Sequence, residues 1–470
     1  MRLALAVTLL VALSFGDAAV AAPKPDRTPP VIRSAIAQGA NITLSYSESL
    51  DPRAGPPSAF EVLVNGVSTN VRSVAVQGRQ IRVRLARSVW SDDAVTIAPS
   101  ERVRDRAGNR ARFSRLAARN ASPVGCSPGL AGKPSGVSEA LRDPETTLSG
   151  VGKLRIAILF ADFADAPGDE SLPELYDQLL PPTTAFFRTS SFGRLSIETV
   201  FLPRWLRISA ASRTIGAGGQ MPIVLEAIRA ADPFFDFSGI DAVEVVLSRD
   251  GSTAASAYLP DFAPTIVADG TRLRFSTVIG NAALGNEPTA GAREPNLWRV
   301  IVHETAHLLG LPDLYQTLPG ESLEPVGSWD PMASPELAQD FLAWHKLKLG
   351  WFDPPQLRCL RSKPVEATLT PVTESGQTAA IAVRLSNDRA LVVEARRRRG
   401  CDAALCSDGV LVYEVDASTS FQPITVRHAK ERGVECSAPY AVGTSYRGDG
   451  VLVKILAEVG DGYRVRVSRQ

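Results

Sequence analysis

Residues 153–163 read KLRIAILFADF, an apolar run interrupted after its first residue only by Arg155 and Asp162. A strand with one wet face alternates polar and apolar residues, so a run this continuous fits a strand covered on both faces. Such a strand needs cover on both faces, and the following sequence offers helices. A helix is predicted from Ser171, a possible cap, with Pro173 in its first turn and a stop at Pro181 and Pro182. Residues 184–188 can be helical, 195–200 read as a strand, 223–231 as a helix and 242–248 as another buried strand. A mixed α/β domain is therefore expected to begin at residue 151.

Within that stretch residues 303–313 read HETAHLLGLPD. A helix opening near Pro295 and ending at Gly310 places His303 and His307 one turn apart on one face, where both imidazoles can converge on a metal ion. Glu304 lies beside that ion as a general base toward water. Gly310 can take the left-handed conformation that ends a helix, and Asp313 can then supply a third ligand. Alternatively Asp313 caps the next helix. This layout is that of a zinc hydrolase with one catalytic Zn²⁺. The other two histidines serve as controls: His345 follows aromatic and apolar residues and reads as packed or surface-exposed, and His428 has no companion ligand.

The N-terminus has Arg2, an apolar stretch over residues 3–15 and small residues before Pro23. It reads as a cleavable export signal over residues 1–22, which implies an extracellular or periplasmic protein. The apolar run is shorter than the roughly 20 residues that span a bilayer, and no later segment suits an integral anchor. A net charge of +1 gives no electrostatic case for nucleic acid or an anionic membrane as partner. At 470 residues and 44% hydrophobic, the chain is expected to form two or three domains.

Residues 27–118 contain short alternating runs at 31–37, 42–46, 60–64, 71–76, 81–85 and 95–98, separated by turn signals such as Asn65-Gly66 and Gln77-Gly78. This spacing predicts a small β-sandwich. Residues 119–150 are rich in Pro, Gly and Ser and read as a linker. Beyond residue 355 the runs are strand-like again, so residues 356–470 are expected to form a separate β-rich domain. Arg396, Arg397, Arg398 and Arg399 read as a solvated basic hairpin tip, with a protease-sensitive or anion-binding site as the alternative. Of Cys126, Cys359, Cys401, Cys406 and Cys436, the pair Cys401–Cys406 brackets a short loop and is the easiest to join, although sequence does not fix connectivity. One thiol is left over, and Cys126 could ligate the zinc and hold a precursor latent.

Several segments carry a family resemblance. HETAHLLGLPDLY resembles the zinc signature of the immune inhibitor A family of secreted metallopeptidases, which is related to the metzincins. LRIAILFADFAD from Leu154, RTSSFGRLSIE from Arg188, GSWDPMA at 327–333, FLAWHKLKLGW at 341–351, and LVVEARRRRG followed by GVLVYEVD resemble further family segments in order. The resemblance covers roughly residues 150–420. It implies a zincin catalytic domain over residues 151–355, hydrolysis of peptide bonds in protein or peptide substrates, and Met332 in a turn beneath the metal. His345 departs from the small or acidic residue expected there, and the N-terminal module is not a recognisable family propeptide. That module instead resembles bacterial immunoglobulin-like modules, which start on a TPP-V stretch (28–31) and end on a D-x-AGN turn (105–109). The expected architecture is multidomain: immunoglobulin-like sandwich, α/β zincin domain, β-rich C-terminal domain. Rival readings are a non-catalytic adhesion or binding protein on a zincin scaffold and a zinc hydrolase of a non-protein substrate. Structural Ca²⁺ is left open. Tyr315 could stabilise an oxyanion, with packing as its plainer role.

Overall fold

The computed structural model describes residues 26–122, 138–139 and 146–470, apart from 54, 65, 87–88, 91–92, 101, 113, 213–219, 250–254, 261–265, 281–295, 319–320, 324, 336–338, 354–355, 361–362, 387, 420–421 and 430–434. The expected leader, Cys126 and Pro295 lie outside the described residues. The chain divides into two compact units, Met1–Pro123 and Val124–Gln470. Most of the structure is β-sheet, in several sheets with few helices. Among the described residues no helix is long and apolar enough to cross a membrane.

The first unit contains strands β1 (Ile32–Gln38), β2 (Asn41–Tyr46), β3 (Glu61–Val64), β4 (Val67–Thr69), β5 (Val71–Gln77), β6 (Gln80–Leu85), β7 (Val95–Ala98), β8 (Leu116–Ala117) and β9 (Arg119–Asn120). They form two sheets, β5-β6-β2-β1-β9 and β4-β3-β7-β8. Ile42, Leu44, Ile81 and Val83 of one sheet share a core with Val62, Val64 and Ile97 of the other. Alternation decides the faces: every second residue of β6 is buried, and those between are exposed. Because β9 pairs with β1, the first residues assigned to the linker belong to this sandwich.

The second unit opens with β10 (Gly152–Phe163), followed by α1 (Leu172–Ser190), β11 (Leu195–Phe201), β12 (Leu206–Ile208), α2 (Met221–Ala231), β13 (Ala242–Leu247), β14 (Ser256–Tyr258), β15 (Ile266–Ala268), β16 (Thr271–Leu273), β17 (Ser276–Ile279) and α3 (Leu297–Leu308). The main sheet has the order β11-β10-β13-β17-β14, with β12 extending the edge of β10; its strands are parallel except β14. On one face Ile156, Ile158 and Phe160 of β10 pack with Leu179, Phe187, Val300 and Ile301 of α1 and α3. On the other, Ala157, Leu159 and Phe163 pack with Ile223, Val224 and Ile228 of α2. Each fully buried Ile, Leu or Phe contributes about 1.5–3 kcal/mol, so this strand is the centre of the unit.

Helix α1 runs through Pro181 and Pro182, where the sequence predicts a stop. Each proline removes a hydrogen bond and costs about 3 kcal/mol in a helix interior. Leu179, Leu180, Phe186 and Phe187, all buried on one face, offset that cost. Thr183 Oγ1 also donates to the Leu179 carbonyl at 2.8 Å.

The domain boundary expected at residue 355 does not separate two compact units. After β18 (Gln316–Leu318), β19 (Glu321–Leu323) and α4 (Ala343–Lys348) come β20 (Leu357–Leu360), β21 (Val365–Leu369), β22 (Ala380–Arg384), β23 (Arg389–Arg396), β24 (Gly409–Asp416), β25 (Ile424–Val426), β26 (Ser445–Gly448), β27 (Val451–Val459) and β28 (Gly462–Arg469). They make the sheets β20-β22-β23-β24-β25 and β21-β28-β27-β26. Ile381, Val383 and Val393 pack against Val453 and Val465 of the second sheet. Their alternates Ala380, Ala382, Val392 and Tyr413 join the core of α1 and α3. A sheet buried on both faces fuses the expected catalytic and C-terminal domains into one body.

Two further expectations change. Cys406 pairs with Cys436, not Cys401, which stays free; Cys359 is also disulfide-bonded. Burial pushes the Cys401 thiol up to about 12, so it is an inert packing residue. Arg396 is not at a solvated tip: it is fully buried, 2.6 Å from Asp402 and 3.1 Å from Glu394, whereas Arg397, Arg398 and Arg399 pair with Asp408 and Asp461 at the surface.

Removing the C-terminal sheets should expose the face that α1 and α3 bury. Residues 124–470 are expected to unfold in a single calorimetric transition, and a chain ending at Asp353 to show none. Two separate transitions in residues 124–470 would contradict the fused core.

Candidate metal centre

Helix α3 packs against α1 and against β14 and β17 of the main sheet, and all its residues from Val300 to Leu308 are buried. His303 and His307 sit on one face of it with ring centroids 4.7 Å apart. Gly310 has φ +96°, a left-handed conformation that lets the Leu311 amide return to the Ala306 carbonyl at 3.1 Å and ends the helix. That turn also fixes the His307 ring, since its Nδ1 donates to the Leu311 carbonyl at 2.7 Å. His303 Nδ1 donates to the Pro331 carbonyl at 2.9 Å. A carbonyl can only accept, so both Nδ1 atoms carry protons and each neutral ring presents the lone pair of Nε2.

The two Nε2 atoms are 3.1 Å apart, and Asp313 Oδ1 lies 3.0 Å from that of His303 and 3.3 Å from that of His307. Asp313 thus joins the histidines and does not cap a helix. Its Oδ1 is buried with no hydrogen-bond donor. Three acceptors facing one another repel unless a cation lies between them, and two imidazole nitrogens plus one carboxylate oxygen are the donor set of an open zinc site. A proton answers the same need in part. Burial disfavours a charged His307, but the Asp313 carboxylate raises its pKa nonetheless. Burial works likewise against an ionised Asp313, yet the histidines hold its carboxyl well below the usual range.

Glu304 is buried beside the pair, with its Oε2 unpartnered. Burial, reinforced by Asp313 and Glu244 and opposed by His303, raises its carboxyl to about 7. Beneath it, Glu244 of β13 meets Thr305 Oγ1 at 2.6 Å, and burial raises this carboxyl to about 7 as well. His303, Glu304, His307, Asp313 and Tyr315 line a cleft of ≈280 Å³ whose opposite wall is residues 255–257 and Leu259. Those residues include β14, the last strand of the main sheet. The Tyr315 ring stacks on His303 with centroids 6.0 Å apart.

A second set of contacts holds the turn that orients His303. Asp330 Oδ1 accepts from the Met332 amide at 2.8 Å, and the Leu314 amide donates to the Met332 carbonyl at 2.9 Å, tying this turn to the Asp313 loop. Asp330 Oδ2 accepts from the Leu342 amide and from His345 Nδ1, both at 2.8 Å. His345 Nε2 donates in turn to Glu139 Oε1 at 2.9 Å, and Trp344 Nε1 to Glu139 Oε2 at 2.9 Å. Glu139, Asp330 and His345 are all fully buried. Glu139 falls in what sequence reads as a linker, and no local pattern marks it. The signal was indirect: a histidine in an apolar helix needs partners.

Burial opposes charge on His345, but Asp330 and Glu139 outweigh it and lift its pKa to about 9. Burial raises the Glu139 carboxyl, yet Lys348 and His345 bring it down to about 2. His428 is not part of the His303, His307 and Asp313 cluster. Asp26, Glu48 and Asp105 also have carboxylate oxygens close together, but Asp105 is already occupied by the Asn109 amide and side chain.

Comparison with known proteins adds little to this geometry. A family model described as "Putative flagellar system-associated repeat" matches residues 25–101. No curated protein matches the chain. A crystal structure of the S-layer protein SbsC is 20% identical over 19% of this chain, which spans 13% of that protein, with a TM-score of 0.18. The N-terminal part of the bacterial S-layer protein SbsC gives 17% identity over 23% of this chain and 27% of that one, with a TM-score of 0.19. A thermostable esterase gives 10% identity over 47% and 70%, with a TM-score of 0.17. Scores this low carry no argument about fold or activity.

The charged His345 has a pH signature. Its folded pKa lies above the unfolded value of about 6.5, so its contribution is complete below that pH and is lost as pH rises through about 9. A loss on the order of 3 kcal/mol is expected between these limits, read from urea midpoints. In His345→Gln the curve should be flatter over that window; an unchanged slope would remove the charge from His345.

Proposed function

We propose that the chain is a secreted zinc-dependent metalloendopeptidase resembling the immune inhibitor A family, with His303, His307 and Asp313 as metal ligands and Glu304 as general base. The observation that carries this reading is the convergence of two Nε2 lone pairs and one donorless carboxylate oxygen beside a buried glutamate. In this reading the helix-flanked sheet is a zincin catalytic core, the sandwich an immunoglobulin-like spacer and residues 1–22 a cleaved export leader.

Zinc, when bound, supplies Lewis acidity that acidifies water toward a pKa near 7 and polarises a carbonyl. The chain's own residues do the rest. The Pro331 and Leu311 carbonyls lock both histidines in the ligating tautomer. Glu304 accepts a proton on its buried carboxylate and returns it to the leaving amine; a carboxyl poised near neutrality suits both transfers. Peptide is favoured as substrate by β14, which ends the main sheet while lining the cleft. An extended peptide can add to such an edge through backbone hydrogen bonds alone. Met332, fully buried in the turn tied to both ligand segments, packs the site from within. Tyr315 packs against His303.

The test is zinc content and casein cleavage, measured on the same protein. Wild type and Glu304→Gln should each hold one zinc per chain, with cleavage falling by roughly 10²–10⁴-fold in the variant. Wild-type protein that binds zinc yet leaves casein intact overturns the peptidase reading in favour of another zinc hydrolase or a binding protein. Asp330→Asn loosens the turn behind His303 and should weaken zinc binding by about 10–100-fold in a chelator competition.

A further inference from the structure

The near-zero charge of the whole chain conceals two opposite halves. Residues 26–123 hold fifteen arginines, no lysine and eight acidic residues, a net charge of +7; residues 124–470 carry −7. The arginines of the first unit are not spread evenly over its sandwich. On the sheet β5-β6-β2-β1-β9, the core takes Ile42, Leu44, Ile81 and Val83, so their alternates form the outer face. Register places Arg82 beside Thr43 and Arg84 beside Asn41, while Ile36 lies beside Thr43 on one side and Arg119 on the other. The remaining outward positions in register are Ser, Ala and Gln, and two further exposed arginines, Arg33 and Arg72, sit at the bulges of β1 and β5. No acidic or aromatic residue occupies this face of the strands.

Arg82, Arg84 and Arg119 are all exposed. Among the described residues none of the three has a side-chain ion pair, unlike Arg115, which meets Glu61 within the same unit. Arg82 and Arg84 are two residues apart on one strand, about 7 Å, and Arg119 lies three strand spacings away, about 14 Å. Three unpaired guanidiniums on a flat face without acids form a surface for a repeating anion. Guanidinium prefers oxyanions it can grip with two N–H groups, which favours phosphate.

We propose that this sheet face docks the protein on a linear phosphodiester polymer that lacks bases, of the polyol-phosphate kind, with Arg82, Arg84 and Arg119 each meeting a phosphate. Two other polyanions fit worse. Single-stranded nucleic acid is held by aromatic side chains on which bases stack, and the face has none. A lipid surface calls for apolar anchors, and Val31 is the one large hydrophobic residue exposed among the described residues of this unit, just before β1 and outside the strands that form the face. The proposal is independent of the hydrolytic reading, since it concerns a unit that holds none of the metal ligands.

The test uses the full chain without its leader and immobilised poly(glycerol phosphate) as probe, at about 50 and 200 mM salt. Wild type is expected to bind, with affinity falling steeply as salt rises. The triple variant Arg82→Ala, Arg84→Ala, Arg119→Ala should bind at least tenfold more weakly with a shallower salt dependence. A control with the same charge change, Arg229→Ala, Arg464→Ala, Arg466→Ala, should bind as wild type does. Arginine-to-lysine changes at the first three positions should restore part of the binding. All three positions are exposed, so a retained thermal transition confirms folding. Equal binding by wild type and the first triple variant overturns the proposal. So does tighter binding of a single-stranded oligonucleotide with the same number of phosphates, or of phosphatidylglycerol vesicles, than of the polymer.

Discussion

Two imidazoles buried on one helix face impose the constraint from which the rest of the second unit follows. A buried ring with an unsatisfied N–H is costly, so each Nδ1 needs an acceptor of fixed position. The structure meets this with backbone carbonyls from two different turns, Leu311 and Pro331. The first comes with the helix end, because Gly310 turns the chain back over His307. The second must be brought from residue 331, and doing so requires that the Asp330–Met332 turn be held against α3 from outside. The segment of α4, the C-terminal sheet behind it and the segment before β10 contribute to that hold.

The outside hold is ionic. Asp330, His345 and Glu139 form a buried row in which one positive ring lies between two carboxylates, with Lys348 behind Glu139. Burying such charges brings little net stability over apolar groups of the same shape, whereas removing one member strands the others at a cost of several kcal/mol. What the row provides is position. Carboxylate oxygens accept in definite directions, so Asp330 can fix the Met332 amide, the Leu342 amide and His345 at once. An apolar contact could fill that volume without setting the turn.

Much of this organisation was legible and some was not, for physical reasons. The unbroken apolar run of β10 announced a strand with two covered faces, and one-turn spacing announced the facing histidines, because both signals are local. The fused core was hidden. Strands β22 to β24 read as an ordinary β-rich domain, and nothing in a run such as Ala380–Arg384 says what lies on its second face. The passage of α1 through two prolines was hidden for a related reason, since its offset comes from Phe186 and Phe187 packing against distant elements. Arg396 looked solvated beside three other arginines because the acids that bury it, Glu394 and Asp402, flank it without a motif. Glu139 was the deepest miss: its partners are some two hundred residues away.

Charge balance at the centre bears on how the proposed metal would act. Asp313, Glu304 and Glu244 lie close enough for each of the latter two to raise or be raised by its neighbours, and among the described residues no lysine or arginine pairs with any of the three. Burial favours the protonated form of Glu304 and Glu244, which is the sense of their upward shifts, whereas the histidines hold Asp313 ionised. A divalent ion on His303, His307 and Asp313 would reverse that balance for Glu304, whose carboxylate would become the stable form next to a net positive site. Glu244, one layer deeper and accepting from Thr305, is not among the ligands, and burial holds its carboxyl at about 7. In the proposed reading the two buried glutamates therefore part company: one titrates with the ion and serves chemistry, while the other accepts from Thr305 and anchors the helix that carries the ligands.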